Sequence, residues 1–300
     1  MNSPLQIAQL CLYYGINKVN APKVKTFILS IIGGFFVGAG AALSSICSYN
    51  FVGGYSQFYN GLVFPTGIMA VYCAGAELFT GNCLLIIPLL SRNISYLDML
   101  LNWLIVFIGN FIGAILIALL IVYGHLPNMF EVNLAQTFFS IGIEKCSLNF
   151  GDAFIKGLLC NFYNCLGIWV SMGGKELRSI IFGLWTPIFL FAVCGLEHCV
   201  ANMYYIAAAL FTSYEYGVDS NKLNWGRLFY KNIIPVTLGN IIGGTGLVGA
   251  IYWYIYLSDE ESKTVDLQKS NNNADSTIGE LHNDLSTLNE INKQNNIKLN

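Results

Sequence analysis

Two glutamates stand where a carboxylate is expensive. Glu77 and Glu197 each interrupt a long apolar run, and each is followed five residues later by an asparagine, Asn82 or Asn202. His198 follows the second glutamate directly, and Thr80 lies in the first interruption just before Gly81-Asn82. An ionisable group at membrane depth is costly and needs a reason. One reason is structural. A broken helix frees backbone N–H groups that lipid cannot satisfy, and a carboxylate can accept several of them. Glu77 and Glu197 therefore read as clamps on two helix breaks, with proton carriage as the alternative. Asn82 and Asn202 read as caps of half-helices. His198 is different, because an imidazole exchanges a proton near neutral pH. It reads as functional, as a transient proton relay, with Thr80 offering a hydroxyl to the imidazole or to a solute.

The elements that hold these residues are set by lipid. Charged residues are 11% of the 300, against roughly 25% in soluble globular proteins. Apolar residues are 55%, glycines number 30, and mean hydropathy is +0.56. So much apolar surface excludes a soluble enzyme. A net charge of -2 gives no basic footprint for nucleic acid. A bilayer core of about 30 Å needs roughly 20 apolar residues as helix. Residues 27–47, 99–123, 153–174 and 233–257 meet this without interruption, and residues 61–90 and 180–211 meet it with the two breaks. The reading is an all-α membrane protein of six spans, the second and fifth broken at the midplane.

Flanking segments follow. Residues 1–18 lack a basic start before an apolar core, so no cleaved signal is expected. Ile7, Leu10, Cys11 and Tyr14 recur at helical spacing, which suggests a short helix on the membrane surface. Residues 1–25 are then an interfacial segment and 26–258 the membrane domain. Residues 259–300 are rich in Asn, Ser, Lys, Asp and Glu and hold no aromatic, as a disordered cytoplasmic tail would. The nine cysteines show no Cys-x-x-Cys pair and sit mostly in apolar runs, as small hydrophobes do. No metal and no cofactor is expected.

The breaks repeat. Glu77-x-x-x-x-Asn82 matches Glu197-x-x-x-x-Asn202, and Gly109-Asn110-x-x-Gly113 matches Gly239-Asn240-x-x-Gly243. Each half holds three spans, an odd number, so the second half must insert upside down as an inverted 3+3 repeat. The Gly-x-x-x-Gly spacing in residues 34–38, 109–113 and 239–243 lets helix backbones approach closely. Near the spans, eight Lys and Arg fall on the side of the N-terminus and five on the other, which favours both termini in the cytoplasm. A membrane hydrolase using Glu197 and His198 lacks a nucleophile or metal-ligand set, since His125 and His282 fall in a loop and in the tail. Transport remains.

Glu77-Leu78-Phe79-Thr80-Gly81-Asn82 and Phe191-x-x-x-Gly195-x-Glu197-His198-x-x-Ala201-Asn202 resemble the formate–nitrite transporter family, over residues 14–256. Tyr14-Gly15 followed by Lys18, and Cys160-Asn161-x-x-x-Cys165-Leu166 followed by Lys175, resemble its branch in parasitic protists. The aquaporins share the general architecture, but their Asn-Pro-Ala breaks are missing here. The resemblance implies an aquaporin-like protomer, five to a ring, in the plasma membrane. It implies small monocarboxylates (lactate, formate, acetate, pyruvate) moved with a proton, the task being lactate export. It places the central histidine at His198 and the mobile threonine at Thr80. It places one constriction at Leu78 and Phe79, and the other at Phe191 with Phe64 or Ile68 facing it. It places entrance lysines at Lys18 and Lys175 and a pore-lining asparagine at Asn161. The lysines have a second reading, as plain topology signals. The alternative function is a pH-gated anion channel of the same fold for formate, nitrite or hydrosulfide.

Overall fold

The computed structural model describes residues 1–131, 133–218 and 221–258. The reading of residues 259–300 as a tail lies outside them. Every regular element among the described residues is helical.

Helix α1, Pro4–Asn20, starts from a reciprocal cap. Ser3 Oγ accepts from the Gln6 N–H at 3.3 Å, and Gln6 Oε1 accepts from the Ser3 N–H at 2.8 Å. The short helix expected from the spacing of Ile7, Leu10, Cys11 and Tyr14 forms, and one face of it is turned onto protein. Ile7, Ala8, Cys11, Gly15 and Val19 are buried, and a Cβ on Gly15 would stand 2.8 Å from Pro88 Cγ.

Four helices are long and apolar enough to cross a membrane: α2 at Lys23–Cys47, then Tyr96–Tyr123, Phe150–Ser171 and Trp225–Tyr256. They coincide with the four uninterrupted stretches. The two interrupted stretches divide. The first gives α3 (Gly54–Val63), α4 (Pro65–Ala74), a 3-10 turn at Gly81–Leu85 and the short α5 (Ile86–Leu90). Next in the chain is α6, the helix Tyr96–Tyr123. Then come α7 (Asn133–Ser147) and α8 (Phe150–Ser171). The second interrupted stretch gives α9 (Leu177–Val193) and α10 (Cys199–Tyr216). The last helix, Trp225–Tyr256, contains π-helical stretches at Leu228–Ile233 and Thr245–Ala250.

Sequence did not separate α7. It matters because α7 and α8 repeat α1 and α2: a short helix leads into a long one, and Lys18 and Lys145 hold the same place near the end of the short helix. The long helices meet at glycines. A Cβ on Gly113 of α6 would lie 1.9 Å from the Ile31 carbonyl oxygen, and one on Gly239 would lie 2.1 Å from that of Phe154. Only bare Cα atoms allow this approach of α6 to α2 and of the last helix to α8. The two breaks are hydrogen-bonded to these same two pairs of helices.

Candidate functional site

Both breaks open with the same backbone device. Gly75 and Gly195 adopt φ of +78° and +61°, a left-handed turn that costs glycine nothing. The next N–H then reaches back to close the helix end: Ala76 to Val71 O at 2.8 Å and Leu196 to Phe191 O at 3.1 Å. The following N–H crosses to another helix, Glu77 to Leu29 O and Glu197 to Lys156 O. Two residues on, Phe79 N–H donates to Asn110 Oδ1 at 2.9 Å, and Cys199 N–H to Asn240 Oδ1 at 3.0 Å. The same asparagines donate back to the Glu77 and Glu197 carbonyls at 2.9 and 3.0 Å. Asn110 also reaches Ser30 O, and Asn240 reaches Gly157 O, both at 2.7 Å. Each of these asparagines is fully buried and ties one break to two helices.

The carboxylates face elsewhere. Lys18 Nζ donates to both Glu77 oxygens at 2.8 Å, and Lys145 Nζ donates to Glu197 Oε1 at 2.7 Å. Asn82 Nδ2 donates to Glu77 Oε2 at 2.8 Å and to Asn102 Oδ1 at 2.9 Å. Asn202 Nδ2 donates to Glu197 Oε2 at 2.6 Å and to Asn232 Oδ1 at 2.7 Å. The expectation that the glutamates collect freed backbone N–H groups is therefore corrected. Neutral Asn110 and Asn240 do that, and each glutamate balances a lysine. Nor do Asn82 and Asn202 cap half-helices, since their amides hold the carboxylates.

Chemistry enters where the two halves differ. His198 takes the place of Leu78, and Thr80 the place of Val200. His198 is the N-cap of α10: the Ala201 N–H donates to Nδ1 at 3.2 Å. Nδ1 therefore presents its lone pair, and a neutral imidazole carries its proton on Nε2. Nε2 lies 2.9 Å from Thr80 Oγ1, so the imidazole donates and the threonine oxygen accepts. The Thr80 hydroxyl keeps its own proton, on a side chain that is fully buried. A second proton can enter the ring only at Nδ1. It would break the cap and set a cation at the positive end of α10. The Thr80 carbonyl is pinned as well, by Asn161 Nδ2 at 3.1 Å and Cys165 Sγ at 3.4 Å.

Aromatic rings close this centre. Phe191 stacks on the His198 ring at 6.1 Å between centroids, and Phe64 meets the Phe191 ring edge-on at 5.7 Å. Beyond them a cavity of about 110 Å³ is lined by Asn60, Lys145, Asn202 and Tyr205 and reaches His198. A second cavity of about 50 Å³ is lined by Cys11, Tyr14, Lys18, Tyr72 and Asn82. One buried hydroxyl–imidazole pair thus lies between two mouths, each marked by a lysine–glutamate pair.

A family model for formate/nitrite transporters matches residues 5–254. The chain belongs to the formate/nitrite transporter family. Relatives include the uncharacterized transporter YrhG of Bacillus subtilis, 35% identical over 266 residues that cover 87% of this chain and 96% of that protein. Formate channel FocA of Escherichia coli is 32% identical over 277 residues, covering 86% and 95%. Formate-nitrite transporter 3 of Toxoplasma gondii is 33% identical over 259 residues, covering 80% and 49%. Among solved structures, a pentameric formate channel with formate bound matches at TM-score 0.70 and 28% identity, over 79% and 98% of the two chains. An FNT family ion channel matches at TM-score 0.76 and 26% identity, over 83% and 98%. The family consists of transporters and channels, and this member is an integral membrane protein.

Within this family member, the structure brings together Thr80, His198, Phe191 and Phe64, with Asn161 holding the Thr80 carbonyl. Phe64, at the junction of α3 and α4, supplies the ring that meets Phe191, and Ile68 is fully buried on α4. Leu78 and Phe79 are buried beside the first break, where Phe79 packs on Phe107 at 5.1 Å and on Trp103 at 6.0 Å. Lys18 reaches its cavity. Lys175 does not: it lies on an exposed loop and lines neither cavity. Lys145 is the cation of the second mouth, and sequence reasoning missed it, together with Asn102, Asn232 and the roles of Asn110 and Asn240. A signal existed. Asn102 and Asn110 are eight residues apart, as are Asn232 and Asn240, so the repeat already seen at Gly109-Asn110 extends one step upstream.

Proposed function

We propose that this protein is a proton-coupled transporter of small monocarboxylates (lactate, formate, acetate, pyruvate) and that its task is the export of lactate with H⁺. The observation that carries the reading is the buried Thr80–His198 contact, set behind the Phe64 and Phe191 rings between two lysine-marked cavities. Six spans in two inverted halves suit the four long helices and the two interrupted ones. Five copies form a ring, as in the pentameric formate channel, with the termini in the cytoplasm and the ring in the plasma membrane.

Magnitudes decide what crosses. A bare carboxylate pressed into an apolar throat loses hydration worth many kcal/mol. Protonating an acid of pKa about 4 at pH 7 costs only about 4 kcal/mol, at 1.36 kcal/mol per unit. The neutral acid is therefore the cheaper passenger. Lys18 and Lys145 are each paired to a glutamate, so each mouth offers an oriented donor rather than a net positive charge. The anion sheds water as it enters, its own pKa rises, and it takes up a proton relayed from the bulk through cavity water. The neutral acid accepts from the Thr80 hydroxyl, passes the imidazole and ionises on the far side. His198 keeps one proton throughout, as donor to Thr80.

The test is uptake of radiolabelled lactate and formate into proteoliposomes, with pH and voltage set separately. Uptake should rise about tenfold per unit as the outside is acidified from pH 8 to 6, because the protonated fraction does. No current should accompany it. Uptake indifferent to pH, or current carried by formate, overturns the reading. Current would favour the second one, a pH-gated channel for formate, nitrite or hydrosulfide anions, which the 32% identity to the E. coli formate channel recommends.

A further inference from the structure

We infer, resting on the transport reading above, that the cavity beside Phe64 and Phe191 is a recognition subsite for acids with a hydroxyl next to the carboxylate, and that Tyr205 and Asn60 are its hydrogen-bond acceptors. Three elements converge there: α2 brings Ser44, α3 brings Asn60 and α10 brings Tyr205. Ser44 Oγ has one proton, and it goes to the Ala41 carbonyl at 2.8 Å. The 3.1 Å contact between Ser44 Oγ and Tyr205 Oη must then run from tyrosine to serine. Asn60 Nδ2 donates to the same serine oxygen at 3.2 Å. A serine hydroxyl has two lone pairs, and both are now filled.

The direction of this chain fixes what the wall offers. Tyr205 Oη has used its proton and presents only lone pairs, one of them turned toward the Asn60 side chain. Asn60 Oδ1 receives no donor from the described residues. Both residues line the cavity of about 110 Å³, as do Glu144 and Lys145, whose ammonium lies 5.9 Å over the Tyr205 ring. The site thus places acceptors beside a cation. A plain carboxylate can use the lysine and has nothing to give the acceptors. A 2-hydroxy acid has both groups on neighbouring atoms, an acceptor pair for the ammonium and an O–H for Tyr205 or Asn60. Water claims roughly 30 Å³ a molecule, so the cavity of about 110 Å³ holds the volume of about four waters, enough for one small acid. A site built to bond a hydroxyl disfavours the analogue that lacks it. The opposite mouth, around Lys18 and Tyr72, has no such chain among the described residues, so the preference belongs to one face.

The test compares lactate with propionate, which differ by that hydroxyl alone, as competitors of radiolabelled formate uptake. Proteoliposomes sorted by orientation expose one face or the other. From the cavity face, wild-type protein should bind lactate about tenfold more tightly than propionate, one hydrogen bond's worth. From the opposite face the ratio should stay under about threefold. Tyr205→Phe and Asn60→Leu should each bring the cavity-face ratio toward one. Equal affinities in the wild type, equal ratios on both faces, or a ratio that survives both substitutions would overturn the inference. If a variant fails to insert, the sidedness of the wild type decides. Wild-type vesicles that take up no formate at all would sink the transport reading instead.

Discussion

His198 does two jobs with two nitrogens. Nδ1 starts α10, and Nε2 holds Thr80. Asparagine can do the first and is too short for the second. His198→Asn should therefore keep the apparent unfolding temperature in detergent within about 3 °C while lowering lactate flux at least tenfold. Flux near that of the wild type would leave the imidazole as a cap alone. The two ion pairs should separate by burial. Lys145 and Glu197 side chains are 14% and 3% exposed, against 32% and 13% for Lys18 and Glu77. Removing one member of a buried pair strands a charge at a cost of about 3–5 kcal/mol. Lys145→Met should lower the unfolding temperature markedly, and Glu197→Gln added to it should recover most of the loss. Lys18→Met should cost less, because water screens that pair.

At the scale of elements, the breaks persist because neighbouring helices complete them. α2 and α6 must touch for Asn110 to reach Ser30, Glu77 and Phe79 at once, and α8 and the last helix must touch for Asn240 to do the same. The contact requires glycine. Gly113→Ala would set a Cβ 1.9 Å from the Ile31 carbonyl oxygen, and the helices would have to part by about an ångström. The expected cost is about 1–3 kcal/mol, read as a lower unfolding temperature with reduced flux. Gly151→Ala is the control, since its Cβ would come no nearer than 3.5 Å to Asn149 Oδ1. No change is expected there. Much of this was legible: the four long helices, the two breaks and the glycine spacing follow from apolar run length and repeated motifs. α7 was not, because its apolar stripe is short and reads as loop. With it went Lys145, whose partner is 52 residues away.

For the whole molecule, the proposal needs a barrier that passes neutral acids and a ring of five. Purified protein in detergent should give a particle of five chains of 33.1 kDa each, by light scattering corrected for bound detergent. A monomer with full transport would show that each protomer works alone. Widening the throat should loosen its rule. Phe191→Ala removes the ring stacked on His198 and should let formate pass with measurable current, since water could then follow the anion past the imidazole.

Composition and periodicity alone determined that this chain lives in lipid and that Glu77 and Glu197 interrupt apolar runs within repeated motifs. Those features are local or recur within the sequence, so apolar length and spacing reveal them. Which group meets the freed backbone, which lysine balances which glutamate, and which way the Thr80–His198 bond runs were decided only by tertiary structure. The reason is physical: a buried donor takes the nearest acceptor of fitting geometry, and in a helix bundle that neighbour is set by packing between segments far apart in the chain. Glu197 shows it best. The sequence set it beside His198, and the fold gave it to Lys145, Asn202 and, more distantly, Asn232.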